Sequence, residues 1–207
     1  MSTHSHTSTS NRFWLVVFAL PLLFLLAGCG ATATPEPHEF AGAVVTNPQP
    51  APDFTLVSAD GPVNLSDYEG KYIYLYFGYT FCPDVCPATM NELAKMTEQL
   101  GADAENVQVI MITVDPARDT AELLRDYMAF FDPSFIGLTG TEEEIAAVAN
   151  TYGVFYEAHE GSAESGYLVD HSTRTYLFSP ERVPIVAYPF DVSAEAMAED
   201  LRYLLTN

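Results

Sequence analysis

Residues 72–101, YIYLYFGYTFCPDVCPATMNELAKMTEQLG, decide the fold. The first six, 72–77, form an unbroken apolar and aromatic run, the pattern of a strand buried on both faces in a sheet covered by helices. Further on, Met90, Leu93, Ala94 and Leu100 mark one face of a helix and Gly101 ends it. A buried strand therefore feeds a helix, and Cys82 and Cys86 fall at the junction. Residues 107–114, VQVIMITV, repeat the buried-strand pattern, after which Asp119 or Thr120 offers an N-cap for a helix through about residue 130.

Working outward, Thr141 and Glu144 fit a capping box for a helix running to Tyr152, with Gly153 as its stop. Strands are expected at 154–158, 173–178 and 183–187, then a last helix over 194–205. Upstream, Asp60-Gly61-Pro62 is a turn signal between short apolar runs and predicts a small N-terminal hairpin. Strands alternating with helices, closed by a hairpin and a helix, define an α/β sandwich with a central mixed sheet flanked by helices. Right-handed crossovers leave the strand at 72–77 central, with its C-terminal end open to a ligand.

The chain has 207 residues, 48% apolar and 17% charged, which allows one domain with a real core plus an appendage. Eight Lys and Arg against 28 Asp and Glu give a net charge of −20, which argues against an electrostatic grip on nucleic acid or anionic lipid. The acidity fits a solvated surface, with steering of a basic partner as the alternative. Glu142 to Glu144 fits a solvated helix cap, and the six Met form no metal-storing tract.

Residues 13–27, FWLVVFALPLLFLLA, are apolar, fewer than the ~20 a bilayer span needs. They end in Leu26-Ala27-Gly28-Cys29, which is similar to a bacterial lipobox and predicts a signal peptide over 1–28 with lipid on the Cys29 thiol. The alternative is an uncleaved membrane anchor with an incidental Cys29. Either case puts the remaining chain on the extracytoplasmic face of a membrane. Residues 29–51, rich in Ala, Thr and Pro, predict a flexible tether, so the domain is expected over 52–207, within which no internal repeat is visible.

Two thiols four residues apart at a helix start converge on one turn, close enough to share a metal ion or to form a disulfide. Backbone N–H groups and the positive helix end favour their thiolate forms. Pro87 suits an early helical position, where its missing donor costs nothing, and Gly78 keeps a side chain away from the thiols. A soft thiolate pair selects copper(I), zinc or iron–sulfur, and none of these is complete with two sulfurs. Beyond the leader the chain offers His38, His159 and His171. His171, in Leu168-Val169-Asp170-His171-Ser172, has a plausible loop position just before a strand, and Asp170 is available to orient its ring or to make a turn.

FGYTFCPDVCP after one strand, TVDPARDT after the next and YLVDHS further on together resemble the Sco/SenC family of copper chaperones for cytochrome c oxidase assembly. The resemblance spans about residues 52–207 and implies a thioredoxin-like fold, with Cys82, Cys86 and His171 holding one cuprous or cupric ion. Asp115 matches a further family element near the site, with a structural or a functional role. The implied recipient is the two-copper centre on the copper-receiving subunit of cytochrome c oxidase. Outside the cytoplasm the dithiol is exposed to oxidants, so loading requires an external reductant or a thioredoxin-like donor.

The main alternative is a thiol-disulfide oxidoreductase using Cys82 and Cys86 on that subunit or on other exported proteins. Three residues between the cysteines instead of two, and a His171 with no necessary place in disulfide exchange, weigh against a general thioredoxin. A peroxidase lacks any sign of a peroxide pocket. A purely structural disulfide closing so short a loop would constrain little of the unfolded chain.

Overall fold

In a computed structural model, residues 38–160 and 166–207 are described. The signal peptide expected over 1–28 and Cys29 lie outside the described residues. In chain order, β1 (Ala43–Val44) precedes a hairpin of β2 (Thr55–Ser58) and β3 (Gly61–Asn64) and a short 3-10 turn, Leu65–Tyr68. Strand β4 (Tyr72–Gly78) leads through the cysteine loop into helix α1 (Val85–Leu100). Then come β5 (Val107–Thr113), α2 (Ala121–Phe131), β6 (Ile136–Leu138) and α3 (Glu142–Thr151). A second hairpin, β7 (Tyr156–His159) and β8 (Leu168–His171), is followed by β9 (Thr175–Phe178), β10 (Pro184–Tyr188) and α4 (Ala194–Thr206).

The main sheet has the order β1-β10-β9-β4-β5-β6. Strands β4, β5 and β6 run parallel, and β9 lies antiparallel to β4. Strand β4 is therefore central, as the crossover rule requires, and the mixed thioredoxin-like sandwich is the expected one. Side-chain alternation splits β4 between two layers. Tyr72, Tyr74 and Tyr76 face the layer of α1 and α4, where the Tyr72 and Tyr74 hydroxyls donate to the α4 carbonyls of Leu204 and Met197. Phe77 faces the opposite layer and meets Tyr152, from the end of α3, at 6.0 Å between ring centroids. Every residue of β5 is buried, which is why VQVIMIT shows no alternation.

Local signals fared well where they were strong. Of the two N-cap candidates before α2, Thr120 caps, its hydroxyl accepting from Leu123 N–H. The Thr141–Glu144 capping box is present, and Gly153 takes a left-handed φ of 65° just past α3. The first hairpin turns at Ala59-Asp60, with Ser58 paired to Gly61, one residue earlier than the Asp60-Gly61-Pro62 signal. Strand β6, three residues with a glycine inside, carried too little pattern to be foreseen. Its Gly137 is needed for space, since a Cβ there would lie 2.7 Å from Leu124 Cβ on α2.

The tether boundary is corrected. Residues 38–51, assigned to a flexible tether, belong to the folded unit, which begins at His38. Ala43 and Val44 pair with Ala187 and Val186 on β10, and Val45 N–H donates to the Ile185 carbonyl. His38 Nε2 lies 2.7 Å from the buried Asp200 carboxylate, its ring stacked on Tyr203 at 4.2 Å. Backbone pairing at a sheet edge needs no apolar periodicity, so an Ala- and Pro-rich stretch concealed it.

Candidate metal centre

The cysteine loop lies at the C-terminal end of the central strand. Cys82 precedes α1 and is half-buried, and Cys86, in the first turn of α1, is fully buried. Asp84 at the N-cap makes no side-chain capping bond. Instead the Cys86 backbone N–H donates to Cys82 Sγ at 3.4 Å, so a sulfur takes a cap's place at the positive end of the helix. Pro87 follows among the first-turn positions whose donors have no intrahelical partner. Gly78 is sterically required, because a Cβ there would lie 2.6 Å from the Tyr76 ring and 3.0 Å from Cys86 Sγ.

Asp119 holds this loop to the sheet. Its carboxylate accepts from the Thr80 backbone N–H at 3.0 Å, the Thr80 hydroxyl at 2.5 Å and the Thr113 hydroxyl at 2.6 Å, the last from the end of β5. Burial raises its pKa against the lowering effect of those bonds from Thr113 and Thr80. The sequence offered Asp119 only as a helix cap; it is a buried clamp on the residues before Cys82.

The third group arrives from the second hairpin. His171 is the last residue of β8, paired with Tyr156, and not in a loop. Its Nδ1 faces the Ser172 carbonyl at 3.1 Å, which turns Nε2 to within 3.4 Å of Cys86 Sγ. The rings of Tyr76 and Tyr79 stand edge-on to the imidazole at 6.0 and 5.8 Å. Asp170 does not orient this ring; it pairs with His159 at 3.1 Å on the exposed face of the hairpin. Of the three histidines, His38 and His159 are thus engaged elsewhere.

Asp115 ties the hairpin down. It accepts from Arg118 Nε and from the Tyr167 hydroxyl, while Arg118 Nη1 donates to the Tyr167 carbonyl. The Arg118 guanidinium lies 3.6 Å from the Tyr167 ring centroid and 4.7 Å from that of Phe81, an exposed aromatic beside Cys82. Neither Arg118 nor the tyrosines announced these roles in the sequence, since the contacts join residues about fifty positions apart.

Cys82, Cys86 and His171 each offer a ligand atom, and the three atoms lie within 4.8 Å of one another. Among the described residues this is the one such group of His, Cys, Asp or Glu. Both thiols are free. They are unequal: the hydrogen bond from Cys86, reinforced by His171 and by the Asp84 and Cys86 N–H groups, pulls the Cys82 pKa down to about 3 against partial burial. Cys86 is driven the other way by that donation to Cys82, by burial and by the Cys82 charge. Two sulfurs and one imidazole, with Cys82 and His171 half-buried and Cys86 buried, are a donor set that suits a soft ion in a low-coordinate site.

The fold and this cluster define a thioredoxin-like protein whose dithiol is joined by a distant imidazole. A family model described as SCO1/SenC matches residues 45–206. The chain belongs to the SCO1/SenC family. It is 39% identical over 153 residues to a Bos taurus protein called "Protein SCO2 homolog, mitochondrial", an alignment covering 72% of this chain and 58% of that protein. The solution structure of apo Sco1 from Thermus thermophilus is 39% identical, with a TM-score of 0.73 over 81% of this chain and 98% of that one. The copper-bound crystal structure of Arabidopsis thaliana ScoI is 35% identical, with a TM-score of 0.71 over 76% of this chain and 99% of that one.

Proposed function

We propose that this protein is a membrane-tethered copper chaperone that binds one copper ion through Cys82 Sγ, Cys86 Sγ and His171 Nε2 and delivers it to the two-copper centre of cytochrome c oxidase. The observation that carries the proposal is the convergence of those three atoms within 4.8 Å, on a chain similar to a protein solved with copper bound. Thiolate and imidazole donors match cuprous ion, and three ligands leave a side from which a recipient's sulfur can enter, so transfer proceeds by ligand exchange. Lipid on Cys29 would hold the domain at the extracytoplasmic membrane surface, where a thioredoxin-like protein would keep the dithiol reduced. Among the described residues no helix is long and apolar enough to cross a membrane.

One observation favours a second activity. An accessible thiolate at Cys82 beside a buried thiol at Cys86 is the arrangement of an attacking and a resolving cysteine, as in a thiol-disulfide oxidoreductase. The two are separated by loading the reduced protein with cuprous ion without oxygen and measuring copper per chain, for the native chain, for His171→Ala and after oxidation. About one copper is expected in the native chain, weak binding without His171 and none in the disulfide form. Catalytic reduction of a protein disulfide, with no copper retained, would replace the carrier by the reductase.

A further inference from the structure

Under the second hairpin a cavity of about 310 Å³ lies beside the metal centre without belonging to it. One wall is the end of β5 and the loop after it, residues 114–117, and the other is the hairpin face that carries Tyr156, Ala158, Tyr167 and Val169. His171 shares that face, since Tyr156 pairs with His171 and Ala158 with Val169. The cavity therefore separates the main sheet from the hairpin that supplies the imidazole. Small-ligand pockets run from about 300 to 1,000 Å³, so this one takes a single side chain and not a cofactor.

The walls are largely apolar, and three carboxylates join them. Asp115 is buried and already satisfied by Arg118 and the Tyr167 hydroxyl. Glu142 and Glu157 are exposed, and among the described residues neither carboxylate has a hydrogen-bond or ion-pair partner. Burial, and after it the Glu142 charge, raises the Tyr156 pKa, which sets that carboxylate near the phenol. A fitting occupant combines an apolar stem for the walls with a positive head for the two glutamates. The rings of Tyr156 and Tyr167 favour arginine over lysine, because a planar guanidinium stacks on an aromatic face and holds a carboxylate through two N–H groups. The same wall already shows the pattern: the Arg118 guanidinium bonds Asp115 and lies 3.6 Å from the Tyr167 ring centroid. The whole chain agrees in sign, since 28 acidic residues against 8 basic ones draw in a basic partner and repel an acidic one.

We propose that this cavity receives an arginine side chain presented by a partner protein, held between the hairpin and the end of β5 with Glu142 and Glu157 on its guanidinium. A partner held there stands next to the metal centre and touches the element that carries His171. The contact serves a copper recipient and a disulfide partner alike, so it does not depend on the carrier function proposed above.

The test is an NMR titration of the metal-free chain with the peptide acetyl-Gly-Arg-Gly-amide and with its citrulline counterpart, which keeps the shape and lacks the charge. The arginine peptide is expected to shift the amides of Val114, Ala158 and Val169. The citrulline peptide is expected to bind about tenfold more weakly, the loss of two exposed charge contacts. Glu142→Gln and Glu157→Gln are each expected to weaken the arginine peptide about threefold. Glu143→Gln, in the same acidic run but not lining the cavity, is expected to leave it unchanged. Should a variant not fold, the two peptides on the native chain decide the matter. Equal binding of both peptides, or arginine-peptide shifts spread evenly over the acidic surface, would overturn the proposal and leave the acidity as a solvating coat.

Discussion

Cys82 and Cys86 sit where two parallel strands end and α1 begins, whereas His171 closes β8, half of a two-stranded sheet that, among the described residues, has no strand pairing to the main one. The sulfur half is fixed by the buried Asp119 carboxylate, which joins Thr80 to Thr113 at the end of β5. The imidazole half is held by its own set of ties: Val169 N–H to the Tyr79 hydroxyl, Arg118 to the Tyr167 carbonyl, and Tyr167 to Asp115. The difference is that the two sulfurs and the imidazole of one cluster are supported by separate sheets. In the proposed copper site two ligands would sit on the frame and the third on the hairpin.

The largest effect that separates the halves is on binding. His171→Ala, measured by competition with a cuprous chelator, is expected to weaken copper more than about a hundredfold while the fold survives, since losing a mere partner of a ligand already costs 10–100-fold. Next comes stability. Asp119→Ala strands the Thr80 amide and the Thr113 hydroxyl in a buried setting, and a loss of about 3 kcal/mol is expected from urea unfolding of the metal-free chain. If His171→Ala destabilised the fold more than Asp119→Ala, the assignment of frame and hairpin would have to be reversed.

Smaller effects sharpen the contrast. Tyr79→Phe removes the acceptor of the Val169 N–H and is expected to cost about 1 kcal/mol. Hydrogen exchange should then quicken at Val169 and not across β4 and β5. The cysteines themselves are expected to differ in reactivity with pH. A Cys82 pKa lowered to about 3 means that its thiolate persists as pH falls through 5, so slow alkylation at that pH should label Cys82 and spare Cys86. Preferential labelling of Cys86 would indicate a hydrogen bond in the opposite sense, and equal labelling would remove the distinction between the two thiols.

The sulfur half was legible in the sequence because its determinants are local. A buried strand, a glycine, two cysteines one helical turn apart and an early proline specify strand, loop and helix within thirty residues. The imidazole half was legible only through family resemblance. His38, His159 and His171 are equivalent by composition, and only the fold shows the first on Asp200, the second on Asp170 and the third on Cys86. The polar run around His171 hid a strand, because a hairpin standing off the main sheet needs little apolar periodicity. Asp119 reaches Thr80 across 39 positions, a separation that no spacing rule covers. The same blindness placed His38 to Val45 in a tether.

The most direct measurement is X-ray absorption at the copper edge, on the reduced chain loaded with cuprous ion and on its His171→Ala variant. The native site is expected to show two sulfur ligands and one imidazole nitrogen, with the nitrogen scattering lost in the variant. A sulfur-only shell in the native chain, or one left unchanged by His171→Ala, would contradict a site closed by the hairpin.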